Sequence, residues 1–254
     1  MSMSMEQDLK GRVAFITGAT SGLGRHFAEL LASHGAAVAV TGRRKERLAN
    51  LVSTIEQAGG RAAAIALDVT DASQIAPALD EAEAALGPID ILINNAGMSV
   101  QGLATDLTAE GFDQVLGTNV RGPFLLATEM GRRMIKRGKG GRIINMGSMG
   151  SFRVLPGLVA YNTSKAALAM MTQALAREWA RYGINVNALC PGYIETELNS
   201  AWFQDEKGKA QIKSFPRRRL AEESDLDGML LLLCSDASRA ITGSLLTIDD
   251  AQSL

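Results

Sequence analysis

Arg12-Val13-Ala14-Phe15-Ile16-Thr17-Gly18-Ala19-Thr20-Ser21-Gly22-Leu23-Gly24 is the stretch that decides the fold. Its first half, Arg12–Thr17, is a short apolar run that reads as a strand. Its second half, Thr17–Gly24, is a glycine-rich turn, and Gly22–His34 carries helical spacing. A strand that turns through glycines into a helix presents free N–H groups and the positive end of the helix dipole at one point. Gly18 allows the sharp turn, Gly22 lets the backbone approach a pyrophosphate, and Gly24 lets helix and strand pack closely. Thr20, Ser21 and Leu23 complete the loop. The spacing differs from the commoner dinucleotide fingerprint, whose glycines stand at offsets of two and five. A glycine-rich turn can also be only a tight connection. Its place directly after the first strand points instead to the binding of a phosphate-bearing cofactor.

Outward from this stretch, short β-rich runs alternate with longer helical ones. Strands are expected at Ala37–Thr41, Arg61–Ala66, Ile89–Ile93, Arg142–Met146, Asn185–Leu189 and Leu245–Ile248. Helices are expected at Arg43–Ala58, Ala72–Leu86, Thr108–Thr118, Val120–Arg137, Ala160–Tyr182 and Ser224–Ser235. Nearly every strand is continuously apolar, as when helices cover both faces of a sheet. The alternation predicts an α/β fold: one domain over residues 1–254, with a doubly wound parallel sheet of about seven strands and right-handed crossovers. Its ligand belongs beyond the carboxyl ends of the strands.

At the end of the second strand stands Gly42-Arg43, where a carboxylate would accept from ribose hydroxyls and select NAD. No carboxylate is present, and an arginine can pair a 2′-phosphate, so NADP(H) is expected over NAD(H) with Arg43 as the selector. Lys45 and Arg47 fit a solvated basic face. Asp68-Val69 ends the third strand. The Asp68 carboxylate can accept from an adenine amino group, or it can cap local turn N–H groups while Thr70 or Asp71 caps the next helix.

Tyr161-Asn162-Thr163-Ser164-Lys165 places a phenol and an ammonium on one helix face, with Ser148 upstream. A free tyrosine titrates near ~10, too high for proton exchange at neutral pH. A neighbouring cation favours the phenolate, and roughly three pH units of lowering takes about 4 kcal/mol. A serine hydroxyl aimed at the same spot can hold a carbonyl oxygen while the tyrosine protonates it. Together they can reduce a ketone or, in reverse, oxidise an alcohol. Taken alone, the pair also reads as an exposed helix pair.

Composition bounds the alternatives. Of 254 residues, 46% are hydrophobic and 21% charged, and the formal net charge is −1, so nothing in the total suggests nucleic acid or an anionic membrane. Two cysteines, Cys190 and Cys234, argue against a disulfide framework and fit a reducing cytoplasm. His26 and His34 read as boundary residues, not metal ligands. Met1–Leu9 is polar and is not expected to be a signal peptide, and no apolar run reaches the ~18 residues of a membrane span. Arg217-Arg218-Arg219 reads as a solvated face or as partners for Glu222 and Glu223.

Thr17–Gly24, Asp68, Asn94-Asn95-Ala96-Gly97, Asn119, Ser148, Tyr161, Lys165 and Pro191-Gly192, in this order, resemble the classical short-chain dehydrogenase/reductase family over almost the whole chain. The resemblance implies a single-domain Rossmann fold and an oxidoreductase. It implies that Tyr161 is the general acid or base, that Lys165 lowers its pKa and holds the nicotinamide ribose, and that Ser148 polarises the carbonyl. Asn119 would hold a water linking Lys165 to solvent. Asn95, Ala96 and Gly97 would lie beside the adenosine ribose. Pro191, Gly192 and Ile194 would pack around the nicotinamide, and Thr196 would bond its carboxamide or a phosphate. The family also implies a homo-oligomer, a dimer or tetramer. Val120–Arg137 and Ala160–Tyr182 would form its two-fold interface.

Two departures stand out. Asp249-Asp250-Ala251 occupies a stretch where the family often has two glycines after an aspartate. Relatives that reduce β-ketoacyl carrier-protein substrates use a basic pair to dock the acidic carrier, and here Lys139 and Tyr182 stand in its place, with Arg181 adjacent. A 3-oxoacyl thioester reductase is therefore a second reading, and a cofactor-binding regulator without turnover is a third. The intact Asn119, Ser148, Tyr161 and Lys165 argue against the third. The expected substrate is a small ketone or secondary alcohol with an apolar flank set by Met149, Phe152, Leu155 and Leu158. Arg153 is expected on the surface, not as a carboxylate clamp. Residues 196–220, with Trp202, Phe203, Ile212 and Phe215, form a candidate lid or, alternatively, an interface helix pair.

Overall fold

A computed structural model describes residues 9–195 and 199–254. The strands β1 (Val13–Ile16), β2 (Ala37–Gly42), β3 (Arg61–Ala66), β4 (Ile91–Asn94), β5 (Gly141–Met146), β6 (Ile184–Pro191) and β7 (Leu245–Ile248) form one sheet in the order β3-β2-β1-β4-β5-β6-β7. Every pairing is parallel, with Ala14 opposite Ile91 and Val13 opposite Ala37. The order reverses between β1 and β4, so the crevice of this doubly wound sheet opens there.

The central strands β1, β4, β5 and β6 are buried on both faces because helices cover both, whereas the edge strands β3 and β7 are partly exposed. Along β1, Ala14 and Ile16 enter one core with Phe27 and Leu31 of α1 (Gly22–Ser33) and Leu48 and Leu51 of α2 (Lys45–Gln57). Val13 and Phe15 enter the other. There they join Ile75 and Leu79 of α3 (Ala72–Leu86) and Leu126 and Met130 of the later helix Gly122–Arg137. The period-two alternation of a strand divides one four-residue run between two cores.

Boundaries differ from expectation where local geometry intervenes. The second helix starts at Lys45 and not Arg43: Arg44 holds a non-helical conformation, so only Lys45 and Arg47 oppose the dipole of α2, beside Glu46 in its first turn. The helices α4 (Ala109–Leu116) and α5 (Gly122–Arg137) are joined by a π-helical turn, Gly117–Arg121, which carries Asn119. Such turns widen a helix and free backbone groups. α6 runs Val159–Trp179. The segment expected as a lid contains α7 (Ser200–Gln204) and α8 (Glu206–Ser214); α9 (Asp227–Cys234) precedes β7. Among the described residues, no helix is long and apolar enough to cross a membrane.

Asp249 receives the N–H groups of Ala251 and Ser253, and Asp250 and Ala251 adopt positive φ of 51° and 65°. This turn brings Gln252 back to the Tyr193 N–H after β6 and Leu254 to Arg153. It also supplies the partner of the basic run. Arg217 and Arg219 pair with Asp250 at 3.2 and 2.8 Å, and Arg219 also pairs with Asp225 at 2.9 Å. Glu222 and Glu223 were the expected partners. The curled tail and the turn at residues 223–226 bring the two aspartates closer.

Candidate active site

Beyond the carboxyl ends of β1, β2, β4 and β5 lies a cleft of about 620 Å³, running from Arg43 and Asp68 at one end to Ser148 and Tyr161 at the other. Thr17, at the end of β1, builds its floor. Its Oγ1 accepts from the N–H groups of Asn95 (2.9 Å) and Ala96 (3.0 Å), and the Asn95 amide donates to the Thr17 and Gly18 carbonyls. The turn after β4 thus props the glycine-rich loop. Gly18 has φ 68°, and a Cβ on it would meet Ala96 Cα at 2.9 Å. A Cβ on Gly24 would collide with the Gly18 carbonyl and the Asn95 amide, so α1 can sit this close to β1 only with glycine there.

The Ser21 side chain caps no N–H of α1, and no acidic residue lies in its first turn. Its amides therefore face a cradle suited to an anion, and Gly18, Thr20, Ser21, Gly22 and Leu23 line the cleft there. At the rim the sequence singled out Arg43, but Arg44 makes the closer contact. Its Nη2 donates to Thr20 Oγ1 at 2.6 Å and to Ser21 Oγ at 2.9 Å. Arg43 is largely exposed and lies 4.0 Å from Asp68. Asp68 Oδ1 accepts from Thr70 N at 2.9 Å. That bond holds its carboxyl below the usual range against the opposing effect of burial, and the Thr70 hydroxyl and Arg43 assist. The turn-capping reading of Asp68 therefore holds for one oxygen, while the residue still lines the cleft with Val69. Asp71 caps α3 through Ser73 N.

At the other end, α6 carries Tyr161 and Lys165 onto one face, as the four-residue spacing predicts. Lys165 is buried, and its Nζ donates to the Met146 carbonyl at 2.6 Å and lies 5.5 Å from the centre of the Tyr161 ring. Burial lowers the Lys165 ammonium to about 8. The Tyr161 phenol differs from expectation: burial pushes it up, and the Ser148 hydroxyl pulls it back only in part. The ammonium reaches past the phenol to a carbonyl at the end of β5, so desolvation outweighs the cation. Ser148 sits in a tight turn with its Oγ accepting from Gly150 N at 3.0 Å. Its own N–H donates to Ser151 Oγ at 3.4 Å, which closes a capping box around the turn.

Asn119 is buried in the π turn. Its side chain accepts from Met98 N and donates to Met98 O and Ser164 Oγ, each at 2.9 Å, and Ser164 in turn donates to the Tyr161 carbonyl at 2.7 Å. The side chain therefore braces α6 against the turn after β4. Gly97 lies between Asn119 and Lys165. Below them, Asn94, Asn145 and Thr172 form a buried amide–amide–hydroxyl chain across β4, β5 and α6, with links of 2.9 Å.

This set (a glycine-built anion cradle at β1, an Asn turn after β4, and Ser, Tyr and Lys converging from β5 and α6) matches one family. The family described as short chain dehydrogenase matches residues 12–207. The chain is a classical short-chain dehydrogenase/reductase. It is 35% identical to a gluconate 5-dehydrogenase of Gluconobacter oxydans and 39% identical to an NAD-dependent glycerol dehydrogenase of Listeria innocua. Each alignment covers 95% of this chain and 94% of the relative. A gluconate 5-dehydrogenase structure from Burkholderia cenocepacia, in complex with NADP and tartrate, superposes with a TM-score of 0.93 at 36% identity, covering 98% of this chain and 97% of that one. The protein is thus an oxidoreductase whose family binds a nicotinamide cofactor, and the cradle and the length of the cleft fit such a group.

The remaining expected residues divide as follows. Pro191, Gly192 and Ile194 line the cleft beside Lys165. Thr196 lies outside the described residues. Met149, Leu155 and Leu158 line the wall, whereas Phe152 turns outward and is half exposed, because the tight turn at Met149–Ser151 rotates it away. Arg153 is on the surface and donates to the Leu254 carbonyl at 3.3 Å. Tyr193, also lining the cleft, was not among the expected residues. Its only signal in the sequence is its position after Pro191-Gly192.

Proposed function

We propose that this short-chain dehydrogenase/reductase is an NADP(H)-dependent carbonyl reductase, reversibly an alcohol dehydrogenase, acting on a ketone or secondary alcohol with one apolar flank. The reading rests on the convergence of Ser148, Tyr161 and Lys165 at the inner end of the cleft. The nicotinamide, when bound, supplies or accepts the hydride. In reduction Tyr161 donates its proton to the carbonyl oxygen, and the burial that keeps its phenol protonated suits that direction. Ser148 holds the same oxygen and polarises the bond. Lys165 holds the nicotinamide ribose and supplies positive charge beside the phenol as it ionises. The Asn119 side chain is taken up by Met98 and Ser164, so a relay water would rest on its main-chain carbonyl in the π turn.

The residues Gly18, Thr20, Ser21, Gly22, Leu23 and Gly24 hold the pyrophosphate. Asp68 and Val69 flank the adenine, and Asn95, Ala96 and Gly97 flank the adenosine ribose. Pro191, Gly192 and Ile194 flank the nicotinamide. The two guanidinium groups at the end of β2, Arg43 and Arg44, support NADP(H) over NAD(H). Met149, Leu155 and Leu158 provide the apolar flank. Two unpaired, buried cysteines fit work in a reducing compartment such as the cytoplasm.

The test is Tyr161→Phe. Turnover of the best ketone should fall by about 10²–10⁴-fold, while NADPH affinity measured by fluorescence stays within about threefold. Persistent turnover in this variant removes Tyr161 from the proton transfer and sinks the reading.

A further inference from the structure

Tyr193 joins several parts of the molecule. It follows Pro191-Gly192 at the end of β6 and lines the same cleft as Ser148 and Tyr161. After burial, the neighbouring Tyr193 phenol adds to what pushes the Tyr161 phenol up. The ring is clamped by the α7–α8 segment. It stacks on Phe215 at 5.4 Å with an interplanar angle of 14°, and meets Phe203 edge-on at 5.6 Å. The backbone is held as firmly: its N–H donates to Gln252 Oε1 at 2.8 Å, and its carbonyl accepts from Ala221 N at 2.9 Å. A phenol held at both backbone and ring is pre-organised, so a hydrogen bond from it costs little entropy.

The charge pattern of the cleft narrows what this phenol meets. Among the described residues, Arg43, Arg44 and Asp68 lie at the adenosine end, and Lys165 alone brings positive charge to the inner end, where it is bonded to Met146. Arg153, the nearest candidate for a carboxylate clamp in the sequence, is turned to Leu254. The inner end therefore offers hydroxyls and aliphatic walls but no second cation for a carboxylate.

We infer that Tyr193 is a specificity-determining residue whose hydroxyl bonds a hydroxyl group next to the reacting carbonyl, so that the substrate is an uncharged hydroxyketone or, in reverse, a vicinal diol. This rests on the carbonyl-reductase reading above. A site built to bond a substrate hydroxyl discriminates strongly against the analogue that lacks it, because the site's polar group is left without a partner. Tyr161 and Ser148 serve the carbonyl oxygen, and Tyr193 serves the neighbouring carbon's oxygen.

The experiment compares kcat/KM with NADPH for acetoin and for butanone, which share a carbon skeleton, in the wild type and in Tyr193→Phe, which keeps the stacked ring. The wild type should prefer acetoin by at least about tenfold. Tyr193→Phe should bring the two within about twofold, because acetoin turnover falls much further than butanone turnover. An equal preference in both proteins, or none in the wild type, overturns the assignment of Tyr193 and leaves the carbonyl-reductase reading standing. A keto-aldonate used better than acetoin overturns the uncharged substrate class. Tight NADPH binding with no turnover of any ketone overturns the carbonyl-reductase reading itself, and the inference with it. Should the variant fail to bind NADPH, a wild-type measurement decides: butane-2,3-diol should compete with acetoin at least about tenfold more tightly than butan-2-ol, and equal competition refutes the inference.

Discussion

Replacing Lys165 with Met should make the protein more stable while destroying its activity. The ammonium is buried, and among the described residues it donates to the Met146 carbonyl at 2.6 Å. Lowering it from an ordinary 10.5 to about 8 corresponds to roughly 3 kcal/mol against the charged form in the folded state. Methionine fills a similar volume without charge, and loss of the hydrogen bond returns about 1 kcal/mol. The net gain at neutral pH is about 2 kcal/mol, or roughly 4–8 °C in Tm for a chain of this size. The dependence on pH has a definite sign. Below about 8 the lysine is protonated in both folded and unfolded chains, and the wild type carries the whole penalty. Between about 8 and 10.5 the folded lysine is neutral while the unfolded one is still protonated, so wild-type stability rises with pH. Above 10.5 the penalty is gone. The advantage of Lys165→Met should therefore be full at pH 7 and nearly absent at pH 10.5. Urea unfolding at fixed protein concentration, without nucleotide, measures it. A variant less stable than wild type at pH 7, or an advantage that does not shrink by pH 10.5, refutes the argument from desolvation.

Three further predictions follow from the same geometry. Arg44→Ser should weaken NADPH binding at least about tenfold while sparing NADH, and Arg43→Ser should do less, since its guanidinium lies mostly in solvent; fluorescence titration of both nucleotides checks the order. Gly24→Ala should cost about 1–3 kcal/mol by overpacking α1 against Gly18 and Asn95, and should lower NADPH affinity as well; thermal unfolding and titration read both effects. Exposed Phe124 on α5 and Met170 on α6 should lie in a two-fold interface between these helices. Light scattering should then report a dimer or tetramer that Phe124→Arg shifts towards monomer, and a wild-type monomer refutes the interface.

Much of the fold was legible because its signals are local. The apolar run at residues 13–16, the glycines at 18, 22 and 24, and the alternation of strands with helices are properties of neighbours along the chain, and crossover handedness makes the sheet parallel and doubly wound; the strand order itself came from the structure. Tyr161 and Lys165 were legible together because helical periodicity alone puts them on one face. The start of the second helix was less so: side-chain bonds from Arg44 to Thr20 and Ser21, twenty-odd residues away, hold it out of α2. Phe152 was misplaced because a three-residue turn rotates it, and no periodicity governs so short an element.

By itself, then, the sequence determined the α/β architecture, the family, and the residues of the anion cradle and of the Ser–Tyr–Lys group. Only the tertiary structure decided how those residues are charged and what braces them. The burial that raises Tyr161 and lowers Lys165 comes from the packing of α6 against β5 and β6. The clamp on Tyr193 comes from Phe203 and Phe215 of the α7–α8 segment and from Gln252 at the chain end. Desolvation and long-range hydrogen bonds depend on what surrounds a side chain in space, which spacing along the chain does not specify.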